Sequence, residues 1–242
     1  MLRMESFHIN HQLKAMERVE PEALDLLADL LMDQKTIEKG QPWIMEGNQL
    51  NYVYLIVEGW AMRYKLLPDG RRQILNFQIP GDLIGFFSSL FNASPSNIEA
   101  LTSLKVQRFS PGKALNLFSH APRMALALSW LAAQAERQLD EQIVRIGLRQ
   151  ARERMAHLFM ELHFRLGRAG FDDSERRNLP ITQLQLADAL GMSPVHAHRT
   201  YRELCKEQLI TRHENGVRLN DPAILGQMCG FDKGYLDFPD MP

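Results

Sequence analysis

Apolar residues at Ala23, Leu24, Leu27, Leu30 and Leu31 recur at the spacing of one helix face and predict a short leading helix over residues 21–32. From about Gln34 to Ser110 the period changes. Apolar-rich runs at Tyr52–Val57, Trp60–Leu67, Gln73–Ile79 and Leu104–Phe109 are separated by turn signals at Gly40, Gly47, Gly59, Pro68-Asp69-Gly70 and Pro80-Gly81-Asp82. Short strands punctuated this regularly predict an all-β sandwich or barrel.

Beyond Pro122 the period becomes helical again. Ala125, Leu128, Ala132, Ala135, Leu139 and Ile146 step by three, four or seven, a coiled-coil-like seam on a helix that ends near Gly147. At 1.5 Å per residue it is ~37 Å long. A small barrel does not cover such a length, which points to pairing with a second copy; burial within its own chain is the alternative. Met155, Leu158, Phe159, Leu162 and Leu166 outline a further amphipathic helix closed by Gly167, and residues 168–178 read as a charged loop.

The next thirty residues are the most informative. Thr182 and Gln185 form a capping-box start for a short helix bearing Leu184, Leu186, Ala187 and Leu190, and Gly191 stops it. Ser193 is a ready N-cap and Pro194 opens a second helix that runs to about Gln208. Two helices joined by a short Gly-containing turn predict a helix-turn-helix, with Ala187 small enough for close crossing. Projected at 100° per residue, Ala197, Thr200, Tyr201 and Leu204 share the core side, whereas Val195, His196, His198, Arg199, Arg202 and Lys206 occupy the rest. Residues 209–219 then read as a hairpin turning at Asn215-Gly216, with Arg212, His213 and Arg218 on its strands, which makes it a basic wing.

Composition adds less than these patterns. The 242 residues allow one large or two modest domains, and 45% hydrophobic with 24% charged content excludes disorder, collagen and low complexity. The formal net charge of -1 points to neither nucleic acid nor membrane, but it is unevenly spread: residues 145–220 hold 13 Lys and Arg against 9 Asp and Glu. Two cysteines, Cys205 and Cys229, are too few for a disulfide framework and lack metal-binding spacing. With no secretory signal and no membrane-spanning run, a cytoplasmic location is expected.

In a major groove, Arg199 can donate two hydrogen bonds to guanine, Val195 can touch a thymine methyl, and His196 and His198 can donate to base acceptors or phosphate. Arg202 and Lys206 lie further along the helix, toward the phosphate backbone. The expected partner is double-stranded DNA. A protein partner bound through the same helix-turn-helix, under control of an effector, is the alternative.

At this point the chain resembles the Crp/Fnr family of transcription regulators. The resemblance rests on Tyr54–Gly59, Pro68–Gly70, Pro80–Gly85, the long helix, Ile181–His196 with Arg199, and Leu209-Ile210, in order over roughly residues 20–222. It implies an α+β architecture: an N-terminal jelly-roll sensor domain (1–120), a dimerisation helix (121–147) and a winged helix-turn-helix (148–222), followed by a tail (223–242). It further implies a homodimer on a palindromic site and contact with RNA polymerase. Arg199 falls on the family's guanine-reading arginine, and Val195 falls where many members carry a base-reading glutamate, so the half-site should differ. Thr182, Gln183, Ser193, Arg202 and His213 fall on positions that approach phosphate.

No cofactor is expected. Cyclic-nucleotide-binding members carry a glutamate after the Gly-Asp turn and an arginine about ten residues later; here Gly85 precedes Phe86, Phe87, Ser88 and Ser89, and the later slot reads Ser96-Asn97. No Lys or Arg occurs between Arg72 and Lys105, so that stretch offers a desolvated phosphate no cation. The cysteine cluster of an iron–sulfur sensor is absent. Haem in a gas or redox sensor stays open as an alternative, with Met45, Met62, His8 or His11 as ligands, since no histidine lies between Gln12 and Ser119. Phe86, Phe87, Leu90 and Phe91 are candidates for an apolar effector pocket or for barrel core. Cupin-type catalysis requires histidines that the barrel lacks, and no nucleophile elbow or P-loop occurs, so no enzymatic activity is expected.

Overall fold

The computed structural model describes residues 8–9, 11, 29–31, 33–86, 93–112, 119–214 and 216–237. Most of the leading helix, together with Phe87, Leu90, Phe91, Asn215 and Phe238, lies outside the described residues. The strands are β1 (Gln34–Ile37), β2 (Pro42–Ile44), β3 (Val53–Glu58), β4 (Ala61–Leu66), β5 (Arg72–Gln78), β6 (Leu83–Ile84), β7 (Asn97–Ala100) and β8 (Leu104–Phe109). They form two four-stranded sheets, β1-β8-β3-β6 and β2-β7-β4-β5. Strands β3 and β8 run antiparallel with Val53 opposite Phe109 and Ile56 opposite Val106, which brings alternate side chains to one face. Ile37, Ile56, Ala61, Leu104 and Val106 fill the core between them.

Helix α1 covers Pro122–Leu148. The chain divides into two compact units, one of residues up to 63 with 77–136, the other of residues 64–76 with 137–237, so the division falls within α1. In the first unit, Met124, Ala125, Ala127 and Leu128 are buried in one cluster with Leu55 and Ile9, against which Leu30 and Leu31 pack. The seam read from sequence is therefore not uniform. Ala125 and Leu128 are core, whereas Ala132, Ala135, Leu139 and Ile146 stay half-buried. Ile143 and Leu148, outside that seam, are 64% and 83% exposed.

In the second unit, α2 (Ala151–Arg168) buries Met155, Leu158, Phe159, Leu162 and Leu166, the residues that its periodicity selects. It continues one residue past Gly167. The stretch expected to be an irregular loop contains a 3-10 turn at Glu175–Arg177 and a short strand β9 (Asn178–Leu179). Helices α3 (Gln183–Leu190) and α4 (Pro194–Lys206) follow, then β10 (Ile210–His213), β11 (Gly216–Leu219) and α5 (Pro222–Cys229). The third sheet has the order β10-β11-β9.

The wing turn differs from the one expected. His213 pairs with Gly216, so Gly216 lies on β11 and not in the turn, where Glu214 takes the positive φ of 40°. Gly216 serves a different need, because a Cβ there would sit 2.1 Å from the Leu179 carbonyl oxygen on β9. Gly216→Val is expected to force the β11–β9 pair apart and to lower stability by about 1–3 kcal/mol; urea unfolding identical to wild type would remove this role from the glycine.

Candidate nucleic-acid interface

Local chemistry fixes both helices of the motif. Thr182 Oγ1 accepts from the Gln185 amide at 3.3 Å while Gln185 Oε1 accepts from the Thr182 amide at 2.8 Å, a complete capping box. Gly191 ends α3 in the left-handed region (φ 61°), where a side chain would be strained. Ser193 Oγ accepts from the His196 amide at 3.2 Å and Pro194 occupies the first turn of α4. Ala187 on α3 is 1% exposed, as the close crossing requires.

Helix α4 is two-faced. Ala197, Thr200, Tyr201 and Leu204 are its buried residues, the set given by helical projection. Val195 is 81% exposed. His198, Arg199, Arg202 and Lys206 are exposed and His196 is half-buried. Among the described residues, the side chains of Arg199, Arg202 and Lys206 form no ion pair. Thr182 and Ser193 are exposed and Gln183 is half-buried at the helix starts. In the wing, Arg212 and Arg218 are exposed and His213 is half-buried. Beside two helix N-termini, the outer face of α4 and the wing thus present cations with no carboxylate partner among the described residues. That array suits a polyanion whose base edges are read by one helix.

Residues 34–121 match the cyclic nucleotide-binding domain family and residues 153–228 match the Crp-like helix-turn-helix domain family. The transcriptional activatory protein AadR of Rhodopseudomonas palustris is 33% identical over 177 residues, 73% of each chain. The chain belongs to the Crp/Fnr family of transcription regulators. The nitrogen fixation regulation protein FixK of Bradyrhizobium diazoefficiens is likewise 33% identical, over 76% of each chain. The fold of this Crp/Fnr regulator is also that of FixK2 from Bradyrhizobium japonicum, with a TM-score of 0.70 at 24% identity over 81% of this chain and 96% of that one. A Crp-family regulator of Thermus thermophilus gives 0.65 at 21% identity, over 81% and 97%. No helix among the described residues is long and apolar enough to cross a membrane.

The first unit of the Crp/Fnr regulator holds a cavity of about 150 Å³ lined by Leu50, Arg63, Gln78, Phe86, Ser96 and Ala135 among others. Phe86 lines this space and also packs against the buried clusters of the unit. Arg63 was missed, because a search for cations confined to the stretch after Arg72 overlooks what β4 contributes from across the sheet. Burial pulls the Arg63 pKa below its usual value. Met62 is fully buried in the core and Met45 is 42% exposed. Among the described residues, no three His, Cys, Asp or Glu side chains gather as for a metal ion.

Beneath the reading head of the Crp/Fnr regulator lies a buried polar cluster that the sequence reading did not anticipate. Arg145 of α1 is 1% exposed and pairs with Glu161 of α2 at 2.5 Å. Its Nε and Nη2 lie 3.2 and 3.0 Å from Nδ1 of His157. Arginine has only donors, so Nδ1 accepts and the imidazole is neutral with its proton on Nε2, which faces Glu141 at 3.5 Å. Burial, then the charges of Arg145 and Arg149, push the His157 pKa down to about 3 against the opposing pull of Glu161. Burial also lowers that of His163.

Both shifts have a consequence for stability. The unfolded chain takes up a proton on His157 below about pH 6.5 that the native state refuses until about pH 3. The stability contribution is complete above pH 6.5 and falls on acidification, by up to ~1.4 kcal/mol per pH unit for each such group. Urea unfolding between pH 7.5 and 5 should show this decline. His157→Gln should be less stable at neutral pH and show a shallower slope; an unchanged slope would contradict the neutral buried ring.

Proposed function

We propose that this regulator acts in the cytoplasm as a homodimer that reads a two-fold symmetric DNA site with α4 and steadies itself through the wing. The observation that carries this reading is the division of α4 into a buried apolar side and an exposed basic side whose arginines and lysine have no carboxylate partner among the described residues. Arg199 reads guanine, Val195 meets a thymine methyl, and His196 and His198 contact adjacent base edges or phosphate. Thr182, Gln183, Ser193, Arg202, Lys206, Arg212 and His213 hold the backbone. The exposed and half-buried apolar residues Leu139, Ile143, Ile146 and Leu148 on α1 favour pairing of two copies, and the family favours contact with RNA polymerase. Selection of duplexes from a random-sequence pool by the purified protein tests the reading. A palindrome is the expected outcome; recovery of no common sequence would contradict it, as would a strictly monomeric protein in sedimentation with and without DNA.

The barrel, on this proposal, takes neither a cyclic nucleotide nor haem, and senses another signal. Its cavity of about 150 Å³ falls below the roughly 300–1,000 Å³ usual for small-molecule sites, and no histidine is among the described residues that line it. Although Arg63 supplies a cation, the glutamate that would hold a ribose hydroxyl has no counterpart after Gly85. Cyclic AMP at millimolar concentration is expected to leave the melting temperature unchanged. A rise of several degrees would show binding to the folded state and overturn this part of the account.

A further inference from the structure

We propose that the C-terminal segment locks the elbow between α1 and α2 through Tyr235, so that the last turns of α1 and the helix-turn-helix move as one body. Only Arg149 and Gln150 separate the two helices, a connection short enough to act as a hinge if nothing else crossed it. Three sets of contacts brace it.

The first is the carboxylate of Glu161, whose Oε2 accepts both from Arg145 of α1 at 2.5 Å and from the Tyr235 hydroxyl at 2.8 Å. One buried oxygen thus joins α1, α2 and the tail. The second is an aromatic wall around His157. Phe231 meets the ring edge-on with centroids 5.3 Å apart, and Tyr235 stacks over it at 6.2 Å and 13°. The third is Gln142 of α1, which donates to the Ala189 carbonyl on α3 and accepts from Arg145. Arg154 of α2 reaches the Leu190 carbonyl at 3.2 Å, so both carbonyls at the end of α3 are held from below.

The tail is itself anchored: α5 buries Leu225 and Cys229, and Gly230 in the left-handed region turns the chain back toward α2. Bending at residues 149–150 would pull Arg145 from Glu161 inside a site where both side chains are almost wholly shielded from water. Separating buried charges there is far more costly than rotating two exposed bonds, so the elbow is stiff. A signal that reorients the reading head must therefore move the end of α1 with it.

Tyr235 is a positioning residue, and its test is hydrogen exchange on the full chain, comparing wild type, Tyr235→Ala and Tyr235→Phe. In peptides covering residues 142–156, exchange is expected to quicken at least tenfold in Tyr235→Ala and about threefold in Tyr235→Phe, which keeps the ring and loses only the hydroxyl. Exchange in α4 should be unchanged. Elbow exchange equal to wild type in Tyr235→Phe would overturn the lock, and this reading stands even if the alanine variant fails to fold. A second arm rests on the DNA-binding reading: duplexes selected by the wild type are rebuilt with half-sites one or two base pairs closer or further apart. Wild type should discriminate between spacings at least tenfold and Tyr235→Ala by less than threefold; equal discrimination by both would contradict the proposal, since a merely structural tyrosine would weaken binding to every spacing alike.

Discussion

Glu161→Ala is expected to destabilise the protein by about 3–5 kcal/mol. Burial alone would push the Glu161 carboxyl up, but Arg145 and Arg165, with the Tyr235 hydroxyl, hold it below its usual range. Removing it strands the Arg145 guanidinium, 1% exposed, beside a neutral histidine that already accepts from it. The Tyr235 hydroxyl loses its acceptor in the same step. Glu161→Gln keeps an acceptor oxygen and should recover part of the loss. Urea unfolding at pH 7.5 measures both; a cost below about 1 kcal/mol for the alanine variant would mean that water reaches Arg145 in solution.

The second large effect falls on binding. Arg199 is exposed on α4, one turn beyond the exposed Val195. A bidentate pair with guanine is worth about 1–3 kcal/mol of discrimination per contact. On the proposed dimer, which would make the contact twice, Arg199→Ala should cut the preference for the selected palindrome over a duplex changed at the guanine in both half-sites by roughly 2–6 kcal/mol. Affinity for unrelated DNA should fall far less, since one exposed cation per protomer contributes about one unit to the salt slope. Competition binding against the two duplexes separates these outcomes. Retained preference would remove Arg199 from base reading while leaving the cationic face intact.

The reading head was legible in the sequence because each of its decisions is local. The Thr182 capping box, the Gly191 stop, the Ser193 cap and the 100° periodicity of α4 all involve residues within a turn or two of one another, and all appear as expected. The wing was legible as a hairpin, but its turn was placed one residue late. Asn-Gly is the usual turn pair, yet here the glycine is needed for close approach to the Leu179 carbonyl on β9, a strand too short to announce itself.

What the sequence hid depends on long-range proximity. Arg63 reaches the cavity from β4, whereas a linear search began after Arg72. Arg145 and Glu161 carry no local mark of burial, because nothing near them in sequence indicates that a tail tyrosine, 74 residues beyond Glu161, completes their site. A signal did exist. Gln134, Gln138, Gln142 and Arg145 are spaced by four, four and three, a continuous polar stripe on one face of α1, and all four are buried. A seam sought only among apolar residues passes over it.

The most direct test of the central claim is the salt dependence of binding to the selected palindrome, measured beside a scrambled duplex of the same length. On the proposed dimer, Arg202, Lys206 and Arg212 from two copies would make about six phosphate contacts, for a slope of log K against log salt near -5. That slope is expected together with a preference of at least a thousandfold for the palindrome at physiological salt. Binding that is insensitive to salt, or equal for the two duplexes, would contradict it.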